Sequence, residues 1–308
     1  MQLKVFKAAG MTLAFLFQHI LDVLRIVWLP AALQVAGFFL LLPGYLRAFA
    51  EIGIDPPADL GEIWSRIAPT IAPALLFLAI VLATSSAMVS GLTRLIVRGE
   101  RPRLPFYLGW SADEWRILGG WVALFLINAG LQAVLAVASL LVRGLMSLGP
   151  GPGVILTLVV FLVGVVCFIW ISVRLSMLAP ATIALKKIAL GDSWESTEEN
   201  FWNLVGFWLI WVGTALVLQL MLTGYLTPPG YFDAFRGADF TPEGMRAATR
   251  KANEAVLRGY DFSDMSNVMR MLVSYLLGAG GAIITAIAGA VCWRTMTDAP
   301  ADPENSRP

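Results

Sequence analysis

Four carboxylates crowd into eight residues of "GDSWESTEENFWNLVG" (191–206): Asp192, Glu195, Glu198 and Glu199. Glu195 and Glu199 stand four apart, so on a helix they are neighbours. Paired carboxylates can do acid–base work or hold a divalent cation, but only in a cleft that perturbs their protonation. The same acids have a plainer use. Asp192 with Glu195, or Ser196 with Glu199, matches a capping box at a helix start. Acids in a first turn also complement the helix dipole. Trp194, Phe201, Trp202 and Val205 follow helical spacing and predict one aromatic face. The stretch therefore reads as a capped helix docked on a membrane, with a cation or partner site as the sharper alternative.

Three other groups carry polar chemistry. The run "RLIVRGERPRLP" (94–105) holds Arg94, Arg98, Arg101 and Arg103. Retention on the cytoplasmic side explains it, and contact with anionic lipid head groups adds about 1 kcal/mol per basic residue. Asn128 and Gln132 stand four apart and share a helix face. They predict interhelical hydrogen bonds or, more sharply, the lining of a polar path. Asp233, Asp239, Asp261 and Asp264 form the set that an enzyme site outside the membrane would use. Metal chemistry has no footing. Cys167 and Cys292 sit in apolar runs, His19 is the only histidine, and no Cys-x-x-Cys occurs. No catalytic residue and no cofactor is expected.

The elements that must position these groups follow from hydropathy. The chain has 308 residues, 58% of them hydrophobic and 14% charged. Soluble domains carry about 25% charged residues. A net charge of +1 gives no field for nucleic acid. Six runs without any Asp, Glu, Lys, Arg or His occur near 26–46, 67–93, 117–142, 154–173, 201–227 and 271–293. Each has about the 20 residues that crossing a bilayer requires. The fold class is all-α integral membrane, with six transmembrane helices. Charge-free spans argue against proton-coupled transport and intramembrane proteolysis, which need titratable groups or a metal. The first span follows a charged, amphipathic lead with no small-residue cleavage site, so it is not a signal peptide. Lys and Arg concentrate before span one, between spans two and three, between four and five, and after six. That places both termini in the cytoplasm.

Each cytoplasmic connection is long and amphipathic: 3–25, 94–116 and 174–200. The second and third share a pattern, "LGWSADEWRILGGW" (108–121) against "LGDSWESTEENFWNLVGFW" (190–208). Three parallel repeats of one interfacial helix plus a two-span hairpin are expected. Trp110, Trp115, Trp194 and Trp202 would be interfacial anchors. The outer connection 228–270 reads as a small helical cap. Thr241 is its N-cap and Pro242 its first helical residue. Asp261 or Ser263 would cap the last span. In that span "GAGGAIITAIAGA" (278–290) repeats small residues every four positions, as in a packed internal helix or a homodimer face. Residues 298–308 form a disordered cytoplasmic tail, and 1–297 one membrane domain.

The segment "RLSMLAPATIALKKIALGDSWESTEENFWNLVGFWLI" (174–210) resembles a signature of bacterial six-span proteins. That group includes the YciC-like proteins and the membrane domain fused to some glycerophosphodiester phosphodiesterases. Arg174, Pro180, Ala181, Ser193, Trp194, Phe201 and Trp202 occupy the signature places. Where the family is basic just before the aromatic entry, this chain carries Glu198 and Glu199. The resemblance implies a bacterial inner-membrane protein. It brings no catalytic residue, because the phosphodiesterase chemistry belongs to a separate soluble barrel. The expected function is non-enzymatic: a scaffold or accessory factor in envelope homeostasis, with membrane lipids, a membrane-protein partner or a second copy as partners. The alternative is a transporter or flippase-like protein for a lipid or amphipathic small molecule. A lipid-sized groove would favour the second reading, and a close-packed bundle the first.

Overall fold

The computed structural model describes residues 3–54, 59–101, 110–145, 150–239 and 241–297. Arg103 and the tail 298–308 lie outside them. Among the described residues there are eleven helices and no strand. Six are long and apolar enough to cross a membrane, and they make this a multi-pass membrane protein. They are α2 (Ile20–Leu41), α4 (Leu60–Val97), α5 (Ala112–Leu145), α6 (Pro150–Arg174), α9 (Phe201–Leu226) and α11 (Met265–Thr297). The others are α1 (Val5–Gln18), α3 (Pro43–Ile54), α7 (Leu178–Leu185), α8 (Leu190–Ser196) and α10 (Pro242–Gly259).

The first span is displaced from its expected place. The ladder re-forms at Ile20 after a break at His19, so α2 starts earlier than 26. It stops before 46 because Pro43 has no N–H to continue the ladder. Leu42 N still donates to Phe38 O at 3.3 Å, and beyond it the chain turns into α3. Charge-free sequence hid this break, since proline interrupts a helix without adding polarity.

The connection 174–200 is not one interfacial helix. It holds two short helices, and α7 is buried against α4, α5, α8 and α11. Its composition explains why. Leu178, Pro180, Ala181, Thr182 and Ile183 are all buried, so the helix has no polar face to give to water. The glycine pair of α5 makes room for it. A Cβ on Gly120 would stand 3.2 Å from Leu178, and one on Gly119 would stand 3.0 Å from Ile188. Lys186 then ends α7 in the left-handed region, with φ of 54°.

The bundle has two unlike ends. Leu3 N donates to Asn200 Oδ1 at 2.8 Å, and Arg294 Nη1 donates to Ile96 O at 3.4 Å. The start of α1 therefore lies beside the first turn of α9, and the last turns of α4 and α11 meet. Both ends of the described chain share this terminal end. Ile26, Leu92, Ile96, Met177, Leu204, Phe207 and Ile287 form its core, with almost no exposed surface. At the opposite end, here the cap end, α10 lies on α3. Thr241 Oγ1 accepts from Gly244 N at 3.1 Å and Pro242 takes the first helical position. The buried stripe of α10 is Ala248, Ala252, Ala255 and Gly259. Phe125, Leu126, Val134, Phe161, Val166, Leu216 and Leu220 are exposed along α5, α6 and α9, as lipid-facing residues must be.

Candidate functional site

The arginine run meets carboxylates before it meets solvent. Arg94 Nη2 donates to Glu114 Oε1 at 2.7 Å, and its Nε lies 3.1 Å from Asp113 Oδ2. Arg98 Nη1 lies 2.8 Å from the same Asp113 oxygen, and Arg116 Nη1 lies 2.7 Å from Asp113 Oδ1. Arg98 Nη2 also donates to Ile183 O of α7. Glu114 is 0% exposed, so this is an internal ion cluster that joins α4, α5 and α7. Three guanidinium groups face two carboxylates there. Arg101 is exposed. Ser111 organises the start of α5. Its N–H and hydroxyl reach Glu114 Oε2 at 2.7 and 2.6 Å, and its Oγ accepts from Asp113 N at 3.2 Å. That is a closed capping box. Trp110 and Trp115 are exposed beside it, their rings edge to face at 5.2 Å.

The acidic stretch folds otherwise than its spacing predicts. α8 ends at Ser196, a turn covers 197–200, and α9 begins at Phe201. The aromatics therefore do not share one helix face. Neither capping box at 192–199 forms. Asn200 sits at the N-cap of α9, and its side-chain oxygen is taken by Leu3 N. Asp192 pairs with Lys187 at 2.9 Å, while Glu195, Glu198 and Glu199 are exposed. Arg174 is the organiser that spacing did not reveal. Its guanidinium lies 5.3 Å from the Trp194 ring and 5.7 Å from Phe201. Its Nη1 donates to Trp194 O at 3.2 Å. Ser193 and Thr197 hydroxyls donate to Arg174 O at 3.1 and 3.2 Å. Trp202 is 79% exposed.

Asn128 and Gln132 are not brought to a shared partner. Asn128 Nδ2 bonds back to Leu124 O of its own helix at 2.9 Å, and Gln132 is exposed. The four outer aspartates do not converge either. Asp233 lies 3.4 Å from Arg236, and Asp239 is exposed. Asp264, rather than Asp261 or Ser263, caps α11 by accepting from Ser266 N at 2.8 Å. Asp261 instead accepts from Ser263 Oγ and N, which holds its carboxyl below the usual range. Among the described residues no three His, Cys, Asp or Glu side chains gather to hold a metal.

A hollow lies at the cap end, between α2, α3, α10, α11 and the end of α9. It encloses about 610 Å³, within the range of small-molecule sites. Phe38, Leu42, Leu226, Val256 and Met271 form apolar walls, and Arg270 and Tyr260 contribute polar groups. Arg270 immediately precedes the uncharged run of α11, which sets it at the membrane boundary. Among the described residues no carboxylate pairs with it. Gln34 closes the deep end. It is 4% exposed, donates to Thr84 Oγ1 at 2.7 Å and Ser85 Oγ at 2.9 Å, and accepts from Tyr275. All its strong donors are satisfied.

The small-residue stripe of α11 divides between these regions. Ala288, Gly289 and Ala290 are buried in the terminal-end core. Gly278, Gly280 and Gly281 have no heavy atom within 4 Å of a Cβ placed on them, and Gly278, Ala279 and Ala282 line the hollow. A smaller hollow at the terminal end, about 520 Å³, has an arginine as well, but Arg294 there is bonded to Ile96 O. Sequence pattern pointed to neither Arg270 nor Tyr275. The one available signal was Gln34, a lone amide inside a charge-free run.

No protein-family model, curated protein or solved structure matches the chain.

Proposed function

We propose that this protein holds an amphipathic lipid in the cap-end cleft of a bacterial inner membrane and acts by binding rather than by chemistry. The observation that carries this reading is the juxtaposition of an apolar hollow with an unpaired arginine at its membrane-boundary end. A packed bundle has no use for such a space, because voids forfeit packing contacts. A lipid fills it with a chain against Phe38, Leu42 and Met271. The two functional readings of the sequence meet here. An accessory factor would retain the lipid, and a transporter would pass it along the open glycine face of α11.

The Lys and Arg bias supports a cytoplasmic terminal end, which puts the cleft in the outer leaflet. The exposed rings of Trp110, Trp115 and Trp202 at the terminal end support interfacial anchoring there. The similar entries at 108–121 and 190–208 support a repeat of lead plus hairpin. A protein partner at the terminal end is the second reading, favoured by the exposed Glu195, Glu198 and Glu199.

Native mass spectrometry of the purified full chain tests the proposal. One co-purifying lipid per chain is expected, and Gly278→Trp should expel it by filling the cleft. Lipid occupancy that Gly278→Trp leaves unchanged overturns it.

A further inference from the structure

We infer that the cleft selects lipids with an anionic head group and that Arg270 reads the charge. This rests on the lipid-binding reading above and adds the class of ligand. Arg270 lines the mouth and has no carboxylate partner among the described residues. The nearby acids are otherwise engaged. Asp261 accepts from Ser263, and Asp264 accepts from Ser266 N, and neither lines the cleft. Two other cations lie near the mouth, and one of them, Arg47, acts electrostatically on Asp261. Arg47 donates to Tyr260 O at 3.0 Å, and the Arg258 guanidinium approaches Gly230 at 3.8 Å from a Cβ placed there. The Tyr260 hydroxyl lines the same mouth and has no hydrogen-bond partner among the described residues. A guanidinium fork with a neutral donor beside it suits a phosphate or carboxylate, and suits a trimethylammonium group poorly.

Below the mouth the chemistry changes. Gln34 has spent both amide hydrogens on Thr84 and Ser85 and its oxygen on Tyr275. The deep wall therefore offers no free amide donor to a second polar group. A hydrocarbon chain fits there, passing over Gly278 and Ala282. The arrangement is polar at one end and spent at the other, which is the polarity of a single-headed anionic lipid. A soluble anion would use the mouth and leave the apolar depth empty.

The test uses the full chain in detergent micelles with phosphatidylglycerol and phosphatidylcholine of identical acyl chains, and sn-glycerol 3-phosphate as a head group without chains. Binding is read by native mass spectrometry. Phosphatidylglycerol should bind at least about tenfold more tightly than phosphatidylcholine, because both offer a phosphodiester to Arg270 but only phosphatidylcholine brings a second cation against the guanidinium. Arg270→Gln should bring the two lipids to parity, and Arg270→Lys should keep part of the preference. Glycerol 3-phosphate should not displace phosphatidylglycerol. Equal affinities in the unsubstituted protein, with Gly278→Trp abolishing both, would overturn the charge reading and leave the cleft standing. Equal affinities that Gly278→Trp does not touch would remove the cleft as well. Displacement by glycerol 3-phosphate would make this a soluble-anion site and overturn the lipid assignment. Arg270 makes no ion pair among the described residues, so an unchanged melting temperature in Arg270→Gln separates lost recognition from lost folding.

Discussion

At the terminal end Leu92, Ile183, Phe207 and Ile287 have no exposed surface, and Glu114 is buried among arginines. At the cap end Gly278, Gly280 and Gly281 of the same α11 face open space, and Arg270 stands without a carboxylate. Both ends contain arginine, small residues and a buried polar side chain. They differ in whether those groups find partners inside the protein. Where Arg94, Arg98 and Arg116 meet Asp113 and Glu114 internally, the chain has built a clasp. At the cap end a charge and a hollow are left over, and these are what the proposed lipid would meet. Residue type alone does not separate the two, so the arginine run at 94–103 drew attention on the sequence while Arg270 did not.

The largest way to break this contrast is at Arg94. Replacing Arg94 by Leu strands Glu114 in a site with no exposure. Removing one partner of a buried pair costs about 3–5 kcal/mol. A marked fall in the melting temperature of the detergent-purified protein is expected. Arg94→Leu combined with Glu114→Leu should recover much of it, since no buried charge is then left uncompensated there. A single substitution without thermal effect would mean that the terminal end is not a clasp.

A sharper comparison places one substitution at two points of one helix. Gly289→Leu puts branches beyond a Cβ that already stands 3.7 Å from Ser176 O, in the turn between α6 and α7. Overpacking there should cost about 1–3 kcal/mol. A Cβ on Gly280 has no heavy atom within 4 Å, so Gly280→Leu should avoid that cost and leave the melting temperature unchanged. Equal destabilisation at both positions would remove the distinction between a packed and an open half of α11.

The legibility of the fold follows the same division. Charge-free runs revealed all six spans, because lipid imposes one strong constraint on composition. They could not reveal Pro43 as a boundary or α7 as a buried element, since both are as apolar as a span. The Ser-x-x-Glu pattern occurs at 111–114 and at 196–199. Only the first closes, because Asn200 takes the cap position in the second and its amide oxygen is held by Leu3, far away in sequence. Pairing of Arg94 with Glu114 is likewise a long-range fact that spacing does not encode. The candidate cleft was the least legible feature, because its residues come from five helices that only tertiary contacts bring together.

Arg174 gives a smaller test at the terminal end. Its guanidinium is covered by Trp194 and Phe201 and bonds Trp194 O. Arg174→Lys keeps the charge and loses the planar stacking, with an expected cost of about 1 kcal/mol. The intrinsic tryptophan emission should shift with it, because Trp194 loses its cationic neighbour and its edge contact with Trp170 is free to adjust. An unchanged spectrum and melting temperature would show that the aromatic pocket holds without the arginine.

The smallest expected effect decides how rigid the cleft is. Gln34 joins α2 to α4 through Thr84 and Ser85 and to α11 through Tyr275. Interhelical hydrogen bonds in membranes average about 0.6 kcal/mol and reach about 1.7. Tyr275→Phe keeps the ring beside Phe38, at 5.8 Å between centroids, and removes only the hydroxyl. Gln34→Leu removes the amide. The two single substitutions and the double should give a coupling near the average, read from thermal unfolding. Such a weak link lets α2 and α11 part and re-form around a ligand with little loss. A coupling of several kcal/mol would instead make the cap end as fixed as the ion cluster at Glu114, and the hollow would then be a rigid cavity with no route for a chain to enter.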